Sequence, residues 1–210
     1  MYLHGFASSA HSTKAGWFGE RLRAYGIELR CPDFNEPEFA TMTLTRMITR
    51  LEQELADRDA PISLIGSSLG GTLAILGAAR FKDRIGKMVL LAPAVMFAKP
   101  GHHLLPPDRI EEWAQRGTLS VFHHQDSAER PLNYSFYEDS LRYDAFGAEF
   151  TQATLIFQGL RDTSVDYQAV EQFARPRPNV TLSLVDDDHQ LIASLPFMWD
   201  AMRDFLGLDR

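Results

Sequence analysis

The segment LIGSSLGG (residues 64–71) joins the apolar run PISLI to the helical pattern TLAILGAARF, with two serines and three glycines crowded at the junction. Small residues between a buried strand and a helix mark a turn too tight for bulkier side chains. Gly66-Ser67-Ser68-Leu69-Gly70 fits G-x-S-x-G, the pattern in which a serine stands on a sharp strand-to-helix turn. The register selects the serine: Ser68 has glycine two residues before it and two after it, and Ser67 does not. The same turn sets Ser68 at the start of the following helix, where the backbone dipole favours developing negative charge. Gly66 and Gly71 also carry the glycine spacing of a phosphate-binding P-loop. That loop needs a lysine next, and Thr72 stands there.

Working outward from this junction, short apolar runs alternate with amphipathic stretches, the signature of βαβ units around a mostly parallel sheet. Strands are predicted in MYLHGF (very short), IELRCPDF (leaving at Pro32), ISLIG, KMVLLAPAV, TQATLIFQG and VTLSLVD. Helices are predicted in STKAGWFGERLRAYG, with Ser12 as N-cap and Gly26 as stop, and in LGGTLAILGAARF, DYQAVEQFAR and SLPFMWDAMRDFLGL. The helix TLTRMITRLEQELADRD places Leu44, Met47, Ile48, Leu51 and Leu55 on one face. From residue 96 to 150 the rhythm breaks into a helix (DRIEEWAQRG), a hairpin (TLSVFHH with PLNYSF) and a short helix (YEDSLRYDAF). An irregular stretch of this length inside an α/β domain is an insertion or carries function. The expectation is one domain, 1–210, with a core of 1–95 and 151–210 and a cap insertion of 96–150.

A nucleophilic serine needs a base, and the base needs an orienting acid. On this type of turn the chain order is Ser, then Asp or Glu, then His. Asp162 follows the strand TLIFQG, and His189 follows VTLSLVD, so both return to the sheet edge that bears Ser68. Asp162 could instead cap the next helix, and Asp166, Asp186, Asp187 and Asp188 are other carboxylates within reach. An oxyanion hole needs backbone N–H donors. Leu69, after the serine, and Phe6, in the loop HGFASS, are the expected pair, with Gly66 and Gly70 as elbow glycines and His4 as a structural tie.

Composition limits the function classes. The chain has 210 residues and a net charge of −7, which counts against a nucleic-acid partner. One cysteine, Cys31, excludes an intrachain disulfide, and the opening MYLHGFASSA has no signal-peptide pattern. The longest apolar run, MVLLAPAVMFA, is interrupted by proline and too short for a membrane span, so the expected location is cytoplasmic. His102-His103 and His123-His124 are adjacent pairs that point to opposite faces of a strand, so no metal is expected.

Taken together, YLHGF, GSSLGG, GLRDTSV and DDDHQL resemble the α/β-hydrolase superfamily over nearly the whole chain outside 96–150. With HGFASSAHSTKA running on from the first motif, the sequence looks most like the small bacterial esterases of the YqiA-like group. The resemblance implies Ser68 as nucleophile, Asp162 as acid and His189 as base, in cofactor-free hydrolysis of small carboxylic esters or thioesters. The chain lacks the HGGG form of the oxyanion loop and starts at the YLHGF strand, so a minimal version of the fold is expected. Met96, Phe97, Trp113 and Tyr134 are candidates for a substrate pocket, as are Phe122, Phe136 and Tyr137; the alternative is that these aromatics form the cap's own core. Two rival functions stand beside the esterase. One is another acyl hydrolase, such as a thioesterase, on the same three residues. The other is a non-catalytic ligand-binding protein on the same fold. The oligomeric state is left open.

Overall fold

A computed structural model describes residues 1–56, 60–97, 99 and 105–208. Five strands, β1 (Tyr2–Leu3), β2 (Ile62–Ser67), β3 (Ile85–Leu91), β6 (Thr154–Gly159) and β7 (Val180–Val185), pair in the order β1-β2-β3-β6-β7. Every pairing is parallel. A parallel sheet is stable only when both faces are covered, because its crossovers lay helices on each side. Alternation along the strands supplies both faces. Leu64, Met88, Leu90 and Ile156 pack on one side with helices α2 (Leu44–Ala56), α3 (Leu69–Arg80) and α6 (Tyr167–Ala174). Ile65, Val89, Leu91 and Phe157 pack on the other with α1 (Thr13–Arg23) and α7 (Leu195–Leu206).

Local signals in the sequence explain the helices. The Ser12 hydroxyl accepts from Ala15 N–H and caps α1, and the chain turns away at Gly26 with φ 71°. Helix α2 buries the five residues that its periodicity selects, Leu44, Met47, Ile48, Leu51 and Leu55. Residues 57–59 of that predicted helix lie outside the described residues.

The second strand predicted in IELRCPDF does not form. Among the described residues this segment meets β1 through one backbone hydrogen bond, from Tyr2 N–H to the Arg30 carbonyl at 2.7 Å. Ile27 is exposed and Pro32 has no N–H to extend a ladder, so neither burial nor bonding sustains a strand. The sheet therefore ends at the two-residue β1.

Between β3 and β6 lie α4 (Pro107–Arg116), β4 (Thr118–His123), β5 (Ala128–Asn133) and α5 (Ser135–Ser140). Strands β4 and β5 form a separate antiparallel hairpin, which begins its return at Ala128 rather than at the predicted Pro131. Hydrogen bonds from several elements hold this region to the rest, two of them close to the sheet edge that bears Ser68 or to the helix beside it. The Asp139 carboxylate of α5 accepts from the Thr45 N–H and hydroxyl of α2, at 2.8 and 2.6 Å. At the hairpin tip, His124 N–H donates to the Ala7 carbonyl at 2.9 Å, in the loop that follows β1.

Candidate active site

Ser68 lies between the last residue of β2 and the first of α3, with φ 53° and ψ −116°. A residue with a side chain holds such angles only when its surroundings fix them. Here Ser68 N–H donates to the Leu91 carbonyl of β3 at 2.9 Å, and its own carbonyl accepts from Gly71 at 2.9 Å and Ala94 at 3.2 Å. The turn is tight enough to demand its glycines. A methyl group at Gly66 would stand 2.5 Å from the Gly70 carbonyl oxygen, and one at Gly70 would run into the Leu3 carbonyl.

The three residues expected at the sheet edge meet there. Ser68 Oγ is 3.1 Å from His189 Nε2, and His189 Nδ1 is 2.7 Å from Asp162 Oδ2. A carboxylate can only accept, so Nδ1 carries the proton and Nε2 turns its lone pair toward the Ser68 hydroxyl. The Asp162 side chain is fully buried, whereas that of His189 is 21% exposed. Burial alone would push the Asp162 pKa up. Hydrogen bonds from His189 and from the Val165 and Ser164 N–H groups outweigh burial and hold the carboxyl below its ordinary value. Helix α6 is capped by Asp166, whose side chain accepts from Gln168 N–H. Asp186 and Asp188 are exposed, and buried Asp187 accepts from the Ser194 N–H and hydroxyl at the start of α7. This geometry can draw a proton from Ser68 and stabilise the imidazolium that forms.

The site opens on an apolar cavity of about 250 Å³ whose wall includes Phe6, Ser68, Leu69, Phe97 and Trp113. Leu69 N–H is the first of α3 and has no intrahelical partner. Phe6 N–H makes no backbone hydrogen bond among the described residues. Of the seven candidate pocket residues, Phe97, Trp113 and Phe136 line this wall. Met96 and Tyr134 do not: Met96 packs on the hydrophobic core and the Tyr134 ring lies against Trp113 and Tyr137. Unanticipated wall residues are Leu119, Val121 and Leu132 on the hairpin, together with Leu105. The hairpin residues had a signal, since Leu119, Val121 and His123 alternate with Thr118, Ser120 and Phe122 and face inward together.

His4 is a buried tie, its Nε2 accepting from Phe34 N–H at 2.9 Å. His102 and His103 lie outside the described residues; His123 is buried and His124 exposed, on opposite faces of the hairpin end. Among the described residues, no three His, Cys, Asp or Glu side chains are grouped to hold a metal ion. Among them also, no helix is long and apolar enough to cross a membrane. Two residues that the sequence reading passed over adjoin the site: Gln158, whose amide donates to Asp162, and Lys14, whose ammonium donates to the carbonyl of Gln190, the residue after His189.

Comparison with known proteins follows the same lines. The profile described as "Uncharacterised protein family (UPF0227)" matches residues 1–206. No curated protein matches the chain. Among solved structures, Est1E from Butyrivibrio proteoclasticus with ferulic acid bound is 23% identical, with a TM-score of 0.82 over 98% of this chain and 86% of its own. Alpha/beta hydrolase domain-containing protein 10 from mouse is 20% identical, with a TM-score of 0.79 over 98% and 88%. The Paleococcus ferrophilus monoacylglycerol lipase is 14% identical, with a TM-score of 0.74 over 98% and 92%. At these identities the likeness establishes the α/β-hydrolase fold.

Proposed function

The chain belongs to the UPF0227 family, and from the site it carries we propose that it is a serine hydrolase cleaving small carboxylic esters. The observation that carries this reading is the series Ser68 Oγ, His189 Nε2, His189 Nδ1, Asp162 Oδ2, spaced 3.1 and 2.7 Å, at the mouth of an apolar cavity. The fold shared with an alpha/beta hydrolase domain-containing protein and a monoacylglycerol lipase supports it.

In this reading His189 takes the Ser68 proton as Oγ adds to the ester carbonyl carbon. The Asp162 carboxylate holds the imidazole in its tautomer and stabilises its charge. The N–H groups of Phe6 and Leu69 receive the oxyanion. Collapse breaks the bond to the alcohol, which leaves with the proton from His189, and the acyl group stays on Oγ. Water then gives its proton to His189, attacks the acyl carbon and restores the serine. Residues 96–150 act as a cap on a single domain, and their inward leucine, valine and aromatic side chains take the apolar part of the substrate.

The experiment is release of p-nitrophenol from acetyl, butyryl, octanoyl and palmitoyl esters by wild type and Ser68→Ala. A cavity of about 250 Å³ lies just below the usual range for small-molecule sites, about 300–1,000 Å³, so the shorter esters are expected to turn over fastest. Ser68→Ala is expected to lose at least about 10³-fold in kcat. If both proteins are inert and a fluorophosphonate probe leaves Ser68 unlabelled, the reading fails in favour of a ligand-binding protein.

A further inference from the structure

We propose that Lys14 is a positioning residue for His189: its ammonium, carried by α1, grips the carbonyl that follows the histidine and fixes the loop on which the imidazole rides. The proposal rests on the serine-hydrolase reading and deepens it.

The first observation is where the lysine stands. Helix α1 buries Lys14, Ala15, Phe18 and Leu22. Positions 14, 18 and 22 form one stripe at helical spacing, and a stripe that faces a core calls for apolar residues throughout. Lysine is almost never buried to this degree unless paired, yet Lys14 is only 8% exposed. An apolar residue of similar size would fill the stripe without the cost of burying a charge, so packing alone does not explain the cation.

The second observation is what it touches. Lys14 Nζ donates to the Gln190 carbonyl oxygen at 2.8 Å, across 176 residues of sequence. Gln190 is the residue after His189. Its N–H is held in turn by the Asp188 carboxylate at 2.8 Å. The next residue, Leu191, is fully buried with φ 56°, a left-handed conformation that a leucine keeps only under constraint. The histidine thus rides on a strained turn whose outgoing carbonyl is gripped by Lys14. A displacement of the imidazole by even 1 Å would break the 3.1 Å approach of Nε2 to Ser68 Oγ.

The third observation is electrical. The groups that face the ammonium are Asp188, Asp162 and Asp187, all carboxylates. Burial pushes the Lys14 pKa down and these carboxylates pull it back up, with a net value of about 8. The amine is therefore mostly charged at neutral pH and discharges in mildly alkaline solution. This accounts for the lysine of HGFASSAHSTKA, which the hydrolytic mechanism leaves without a role.

The test is steady-state hydrolysis of p-nitrophenyl butyrate by the full chain, comparing wild type, Ser68→Ala, Lys14→Met and Lys14→Arg. Lys14→Met is expected to lose about 10- to 100-fold in kcat, to keep KM within about twofold, and to melt cooperatively. The wild-type kcat is expected to fall as pH rises through about 8, where the ammonium discharges. Lys14→Arg is expected to recover part of the kcat and to lack that fall, because guanidinium stays charged. Wild-type kcat in Lys14→Met overturns the proposal, as does a loss confined to KM. If Lys14→Met does not fold, wild type and Lys14→Arg decide. An alkaline fall in wild type alone supports the proposal, and an alkaline profile common to both overturns it. Turnover that survives in Ser68→Ala overturns the hydrolase reading, and the role of Lys14 falls with it.

Discussion

The Gln158 side-chain amide donates to Asp162 Oδ2 at 3.0 Å, and that oxygen is the one that His189 Nδ1 reaches at 2.7 Å. Gln158 is fully buried, and its amide nitrogen also lies 3.2 Å from the carbonyls of Gly159 and Val165. Every neighbour of that nitrogen is an acceptor, so the position demands a donor. Two donors on one carboxylate oxygen favour its ionised form.

Gln158→Glu inverts this demand. The new carboxyl would be buried beside Asp162 and two carbonyls, so the native state would retain a proton that the unfolded chain releases above about pH 4.3. Where the native state binds the extra proton, stability falls as pH rises. The variant is expected to be destabilised by at least about 2 kcal/mol at pH 8 and by less at pH 5, as read from urea melts. Its kcat should fall at least about tenfold.

Lys14 gives a pH dependence of opposite sign. Its native pKa of about 8 lies below the ordinary 10.5, so between these values the unfolded chain binds a proton that the native chain has released. Stability then rises with pH across that window. Below pH 8 the cost of the buried charge is present in full, and Lys14→Met is expected to melt at or above the wild-type temperature at pH 7. By pH 10 the difference between the two proteins should shrink. Melting curves of both at the two pH values check this.

The hairpin side of the cavity sets the room available to substrate. Val121 lines that wall and points inward from β4. Val121→Phe fills part of the space and is expected to lower kcat/KM for the octanoyl ester at least about tenfold, leaving the acetyl ester within about threefold. The ratio between the two esters is the diagnostic quantity.

At the elbow, Gly66→Ala puts a methyl group 2.5 Å from the Gly70 carbonyl oxygen, against backbone that cannot yield cheaply. The expected cost is about 3 kcal/mol, with loss of turnover, measured by denaturant unfolding beside the ester assay.

The sequence made the elbow, the apolar face of α2 and the Ser12 cap legible because each depends on residues close together in the chain. The second strand was misread for a complementary reason. Its residue types suit a strand, but a strand needs a partner, and residues 27–34 offer β1 one backbone hydrogen bond. Ser68, Asp162 and His189 could be brought together on paper because the ends of parallel strands share one edge. Lys14 and Gln158 could not. Lys14 meets its partner across 176 residues. Gln158 looks like any strand residue until the buried carboxylate beside it is known. Met96 and Tyr134 lie in the stretch that lacks periodicity, where residue type says little about direction.

The bond from His124 N–H to the Ala7 carbonyl joins the tip of the hairpin to the residue just after Phe6. Ala7 holds φ 53°, in the region where a residue with a side chain is strained. Lifting the hairpin off the cavity means surrendering that bond beside the proposed oxyanion donor. Entry to the cavity and the set of the loop carrying Phe6 are thereby mechanically joined: a pull on the hairpin tip is a pull on Ala7.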